Sequence, residues 1–173
     1  DIDPNDVARA VLGKSTWAVL GLTLDIELFT QLHYRQSIAP DAELSELFKD
    51  VFLYHWREES QHAILDELEW ARDDAGLTAE QRDRGVDELI ELVAAVDGIL
   101  KIQAKADATY FAATCGRDVG EAEAPMVEAA FLKAYRWQYI NSGVQHPQFS
   151  KVLSSLITEK QGQRIQAALA ALQ

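Results

Sequence analysis

The residues best equipped for chemistry are His55, Glu59 and His62, which read His-x-x-x-Glu-x-x-His. In a helix that turns about 100° per residue, they fall within about 60° of one another on one face. Phe48, Val51 and Phe52 continue that face, so a carboxylate and two imidazoles interrupt an apolar stripe. Burying such groups without compensation costs on the order of several kcal/mol, and a metal ion removes that cost. Imidazole together with carboxylate suits iron, manganese or zinc and does not suit calcium. A lone histidine on an apolar face is ordinarily a core residue satisfied by one hydrogen bond; three aligned groups move the reading to a metal site.

A second carboxylate comes from the preceding helical segment. Glu27 shares a stripe with Leu20, Thr23, Leu24, Gln31 and Tyr34, the side expected to face a helical interior. Counted outward from the break near residue 41, Glu27 and Glu59 reach comparable heights in an antiparallel helix pair. His33 points about 120° away from Glu27 and is expected at the surface or in a second layer. Asp25 faces elsewhere.

These groups need long helices to hold them, and the sequence supplies them. Gly and Pro are scarce inside stretches rich in Ala, Leu, Glu, Lys and Gln, and alternating β-branched runs are nearly absent, so the fold class is all-α. Asp3-Pro4 is expected to open a first helix running to about Gln36, which Ser37–Asp41 breaks. A second helix is expected from about Ala42 to Arg72. The turn Asp73–Leu77 follows, then the capping-box pattern Thr78-x-x-Gln81 and a third helix, delayed by Gly85, to about Cys115. A fourth is expected over Glu121–Gln145, with Pro125 in its first turn and Pro147 as its stop, and short helices fill the tail. With 173 residues, 48% of them hydrophobic, residues 1–173 are read as a single domain.

The formal net charge of −12, with no Lys/Arg cluster able to track phosphates, argues against nucleic acid and anionic membrane as partners. No run of eighteen uncharged apolar residues occurs, and the first residues lack the basic start and apolar centre of a leader. The expectation is a cytoplasmic protein. The absence of an initiator Met leads us to expect a processed or partial form of a longer chain. Cys115 is the only cysteine and is expected to be packing rather than a nucleophile. The tyrosines at helical spacing (Tyr34, Tyr110, Tyr135, Tyr139) and all four tryptophans are read as packing too. Leu53, Trp56, Ile64 and Leu68 form a second apolar side of the His55–His62 helix and need a cover, from the C-terminal helices or from another subunit in a homodimer.

Glu27, thirty-one intervening residues and then Glu59-Ser60-Gln61-His62 resemble the half-site of the ferritin-like di-iron carboxylate proteins, in which one helix gives a Glu and the next gives Glu-x-x-His. Glu58 supplies the Glu-Glu-x-x-His form of many oxygenase members, and His55 resembles the additional ligand of the arylamine N-oxygenase branch. The resemblance covers residues 20–66. It implies a ferritin-like four-helix bundle with short C-terminal helices, two iron ions or manganese as cofactor, and an oxidase or oxygenase acting with dioxygen or peroxide on a small molecule. Iron storage fits less well, because His55 ties down iron that storage must pass along.

The family repeats the pattern in its second helix pair, whereas no Glu-x-x-His follows residue 62 here. Asp107, on a face with Leu89, Val93, Val96, Leu100, Gln103 and Phe111, is the carboxylate expected to point inward, and Asp97 lies about 80° off that centre. In the fourth helix Glu128, Leu132, Tyr135, Tyr139, Ser142 and His146 share a stripe. Family spacing pairs Asp107 with Gly143-x-x-His146, a glycine standing in the Glu position. Height across the Gly116–Gly120 connection pairs it with Glu128 instead. The second-metal ligands are therefore expected from Asp107 with Glu128 or His146. The competing expectation is a metal-free or single-metal bundle with a degenerate site, serving as a structural or interaction module.

Overall fold

The computed structural model describes residues 3–172; Asp1, Ile2 and Gln173 lie outside the described residues, and with them the start of the segment read above for a leader. The architecture is all-α, and no strand occurs among the described residues. The helices are α1 (Pro4–Leu12), α2 (Thr16–His33), α3 (Glu46–Ala75), α4 (Ala79–Thr114), α5 (Ala124–Arg136), α6 (Ser142–Val144), α7 (Pro147–Leu156) and α8 (Glu159–Ala170). Two π-helical turns extend this set: Tyr34–Ile38 prolongs α2, and Trp137–Asn141 joins α5 to α6.

The expected first helix is in fact two. Gly13 closes α1, and the Ser15 hydroxyl then accepts a hydrogen bond from the Ala18 N–H, starting α2 afresh. α3 begins at a Ser45 cap, later than expected, and reaches Ala75 before Gly76 ends it. α4 starts at the Thr78/Gln81 capping box, where both reciprocal bonds form, and runs straight through Gly85. That glycine is needed for contact: a Cβ on it would lie 2.9 Å from the Trp17 ring. Pro147 stops one helix by starting the next, with His146 as the N-cap of α7.

α2 is the hub, packed against α3, α4, α6 and both π-turns. Gly21 lies against Trp70 and Leu89, and Gly85 lies against Trp17, so α2 and α4 run in the same direction along a glycine–tryptophan seam. α3 runs antiparallel to α2: Trp70 meets Gly21 while Glu59 meets Gln31. α5 returns along α4 through Phe111–Phe131 and the Asp97–Arg136 ion pair. The core gathers Trp17, Leu24, Leu28, Trp70, Val86, Leu89 and Phe149. At its end a buried network closes three helices. Trp17 Nε1 donates to Asp74 Oδ1 at 2.9 Å, and Arg82 grips the same carboxylate through Nε at 2.6 Å and Nη2 at 2.9 Å. Among the described residues no helix is long and apolar enough to cross a membrane.

Candidate metal centre

The antiparallel α2–α3 pair carries the site. One α-helical turn beyond Glu27, the Gln31 side chain donates to the Glu59 carbonyl at 3.4 Å and accepts from Ser60 Oγ at 3.4 Å, which pins the register of the two helices. With that register set, Glu27, Glu59 and His62 offer ligand atoms that all lie within 4.8 Å of one another, the one such group of three among the described residues. His62 Nδ1 is 2.9 Å from Glu59 Oε2 and 3.9 Å from Glu27 Oε1. His55 Nε2 reaches the other oxygen, Glu59 Oε1, at 2.5 Å. Glu59 thus holds one histidine on each carboxylate oxygen.

Burial differs across the group. The Glu27 and Glu59 side chains are 16% and 15% exposed, whereas His62 and His55 are 48% and 45% exposed. The carboxylates sit in the seam between helices and the imidazoles stand at its outer lip. Burial, helped by a hydrogen bond to Glu59 and the negative charges of Glu59, Asp66 and Glu58, pushes Glu27 up to about 8. Glu59 is held below the usual carboxylate range by that same hydrogen bond from Glu27, and then by His62 and His55. Near neutral pH, then, Glu27 carries a proton that it donates to Glu59. A proton between two carboxylates, with an imidazole nitrogen beside them, marks the position a cation would take, and the donor set of two carboxylates and one or two imidazoles fits a first-row transition metal.

The remaining sequence candidates lie apart from this group. Asp107 on α4 accepts from Tyr135 Oη at 2.5 Å and from Gln103 at 2.8 Å; these bonds lower the Asp107 carboxyl and raise Tyr135 to about 12. Glu128 on α5 is half-buried and joins no ligand cluster. The His146 ring accepts from the Gln148 N–H at 3.2 Å as the cap of α7, and burial, then the nearby Arg35 charge, lowers its pKa. The buried carboxylate of α4 is Asp97, 2% exposed. Burial alone would raise it, but Arg136 at 2.6 and 3.1 Å and Lys101 at 2.7 Å outweigh that, so Asp97 is held low as the clasp between α4 and α5.

Two features went unread in the sequence. A cavity of about 330 Å³ adjoins the site, with His55 in its wall and Phe29, His33, Tyr34, Phe52, Trp56 and Tyr139 around it. His33 belongs to this cavity, and its Nδ1 is buried without a partner. Its offset from Glu27 on the α2 wheel was the available signal. The cavity also needs both π-turns, which bring in Tyr34 on one side and Tyr139 on the other, and no helical projection shows those. Comparison with family models, with curated proteins and with solved structures finds no match to this chain.

Proposed function

We propose that this chain is a ferritin-like metal protein in which Glu27, Glu59 and His62, with His55 as a further donor, hold iron or manganese for an oxidation. The convergence of Glu27, Glu59 and His62 carries this reading. Bound iron supplies reductive activation of dioxygen or peroxide. The chain's own residues do the rest. Glu27 surrenders its proton as a cation enters, Glu59 presents both oxygens, and His55 orients the oxygen it touches. The aromatic-walled cavity beside His55 has room for a small molecule.

The test is metal analysis of protein purified without chelator, followed by anaerobic Fe(II) titration and oxygen-uptake measurement. About one ion or more per chain, lost in Glu59→Ala and kept in His33→Ala, supports the reading. Less than about one tenth of an ion per chain, with no uptake on titration, sinks it. The engagement of Asp107, Asp97 and His146 in structural bonds favours the rival reading, a metal-free helical module, and that rival predicts the second result.

A further inference from the structure

We infer that the chain has a second small-molecule site, an apolar cavity between α2, α4, α7 and α8 in which Asp25 anchors the hydroxyl of a short-chain alcohol. This site is separate from the metal centre. Asp25 and Glu27 are two residues apart on α2 and therefore point about 160° away from each other.

The cavity measures about 70 Å³. The buried Leu22, Leu89 and Phe149 form its inner wall, and the exposed Ala94, with half-buried Leu169, marks its outer edge. Among the described residues Asp25 is the one polar side chain in the wall. It is 5% exposed, and its Oδ1, pressed against Gly143, has no hydrogen-bond partner. Burial is the one influence on this carboxyl; no hydrogen bond and no opposite charge among the described residues acts on it.

The other two buried acids are treated differently. A guanidinium grips each of them, Arg82 on Asp74 and Arg136 on Asp97. A buried polar group without a partner is costly, and the chain keeps one where a cavity meets it.

The polar need of the cavity selects its occupant. A water molecule stays in a cavity when it finds two to four polar partners, and this wall offers one side chain. An ammonium brings three N–H donors to one carboxyl and leaves donors unmet against aliphatic groups. A hydroxyl brings one donor and also accepts, so it suits the carboxyl with or without its proton, and an alkyl chain suits the rest of the wall. At about 25 Å³ per non-hydrogen atom of an apolar ligand, the cavity holds about three or four such atoms, the size of a two- or three-carbon alcohol.

Entry is by way of α8. Its first half is tied to α4, where Gln161 Nε2 and Arg164 Nη2 donate to Asp83 Oδ1 at 3.1 and 2.8 Å. Past Arg164 no side-chain hydrogen bond among the described residues joins α8 to another element, and Ile165, Ala168 and Leu169 lie over the cavity by apolar contact. That half of the helix can lift without breaking a polar bond.

Methyl-labelled NMR titration of the whole chain with 1-propanol, propylammonium and n-butane tests this. The expected result is a saturable shift of the Leu22 and Leu153 methyls by 1-propanol, in the millimolar range, with propylammonium about tenfold weaker or worse. Asp25→Leu, which keeps the branching and removes the polar atoms, should weaken 1-propanol about tenfold and leave n-butane at least as tight. Ala168→Leu, on the half-buried face of α8, should fill the cavity and abolish the shifts for all three probes. Absence of a saturable shift in the native chain overturns the site. Propylammonium binding as tightly as 1-propanol overturns the hydroxyl assignment, as does an unchanged ratio of 1-propanol to n-butane affinity in Asp25→Leu. Each of these results leaves the metal reading standing.

Discussion

Gly143 sits so close to Asp25 that a Cβ at position 143 would come within 2.3 Å of the Asp25 Oδ1 and 2.5 Å of its carbonyl oxygen. The helical segment that returns past α2 crosses it at this point with backbone against backbone. A glycine that the family pattern makes conspicuous, by standing where a ligand Glu belongs, has its own reason in packing.

Gly143→Ala is therefore expected to destabilise the fold by about 2 kcal/mol, the usual cost of overpacking a tight contact. Gly143→Glu should cost more and add no metal ligand. Urea unfolding measures the first; metal stoichiometry of whatever soluble Gly143→Glu protein is recovered measures the second.

Asp25 gives a pH dependence of its own. It is 5% exposed, Oδ1 has no hydrogen-bond partner, and burial raises its pKa well above the ordinary value. An acid whose folded pKa is raised binds its proton more tightly when folded. Its stabilising contribution is present below the unfolded value of 3.8 and is lost as pH rises toward and through the folded value. Asp25→Asn, nearly equal in volume, should remove this loss. The melting temperature of the native chain should fall relative to Asp25→Asn between pH 5 and pH 8, with the two closest at the acid end; parallel curves would contradict the assignment.

In the proposed metal uptake, Glu27 would set the proton balance. With its pKa at about 8, it is mostly protonated at pH 7, and a cation must displace that proton. Metal affinity is expected to climb as pH rises to about 8 and to level off above it, with nearly one proton released per Glu27 engaged at pH 7. Calorimetry in two buffers of different ionisation enthalpy measures the release, and Glu27→Gln should abolish it while weakening binding. Without metal, the same raised pKa makes Glu27 a stabilising group below the ordinary glutamate value of 4.5 and a progressively weaker one up to about 8.

Asp74 holds α2, α3 and α4 together through Trp17 and Arg82. Asp74→Ala leaves a half-buried guanidinium and a buried indole N–H without their acceptor, and should cost about 2 kcal/mol in chemical unfolding. Because the network lies at the far end of α2 from Glu27, metal stoichiometry per folded chain should persist at temperatures where the variant is still native.

The meeting of Glu27 with Glu59 and His62 was legible because it depends on two helices, their periodicity and one count of heights. The Thr78/Gln81 capping box was legible because it is complete within four residues. What escaped the sequence depends on which neighbour claims a helix face. Asp107 lies at the centre of an apolar stripe on α4, but its carboxyl meets Tyr135. Asp97, off that centre, is buried because Arg136 arrives from α5 to pair with it. Gly85 reads as a helix breaker until Trp17 fills the space above it. The break after Gly13 has local signals, a glycine stop followed by the Ser15 cap, which the expectation of one continuous helix passed over.

The glycine–tryptophan contacts that α2 makes with α3 and α4 turn the positioning of the proposed metal ligands into a question of leverage. Gly21, clamped against Trp70 and Leu89, is a fulcrum, and Glu27 rides about 9 Å further along the same rod. A tilt of about 5° at the fulcrum swings Glu27 by about 0.8 Å, several times the ~0.2 Å tolerance of a metal–ligand bond. Trimming Trp70 or widening Gly21 can therefore detune the site from a distance, with every ligand still in place.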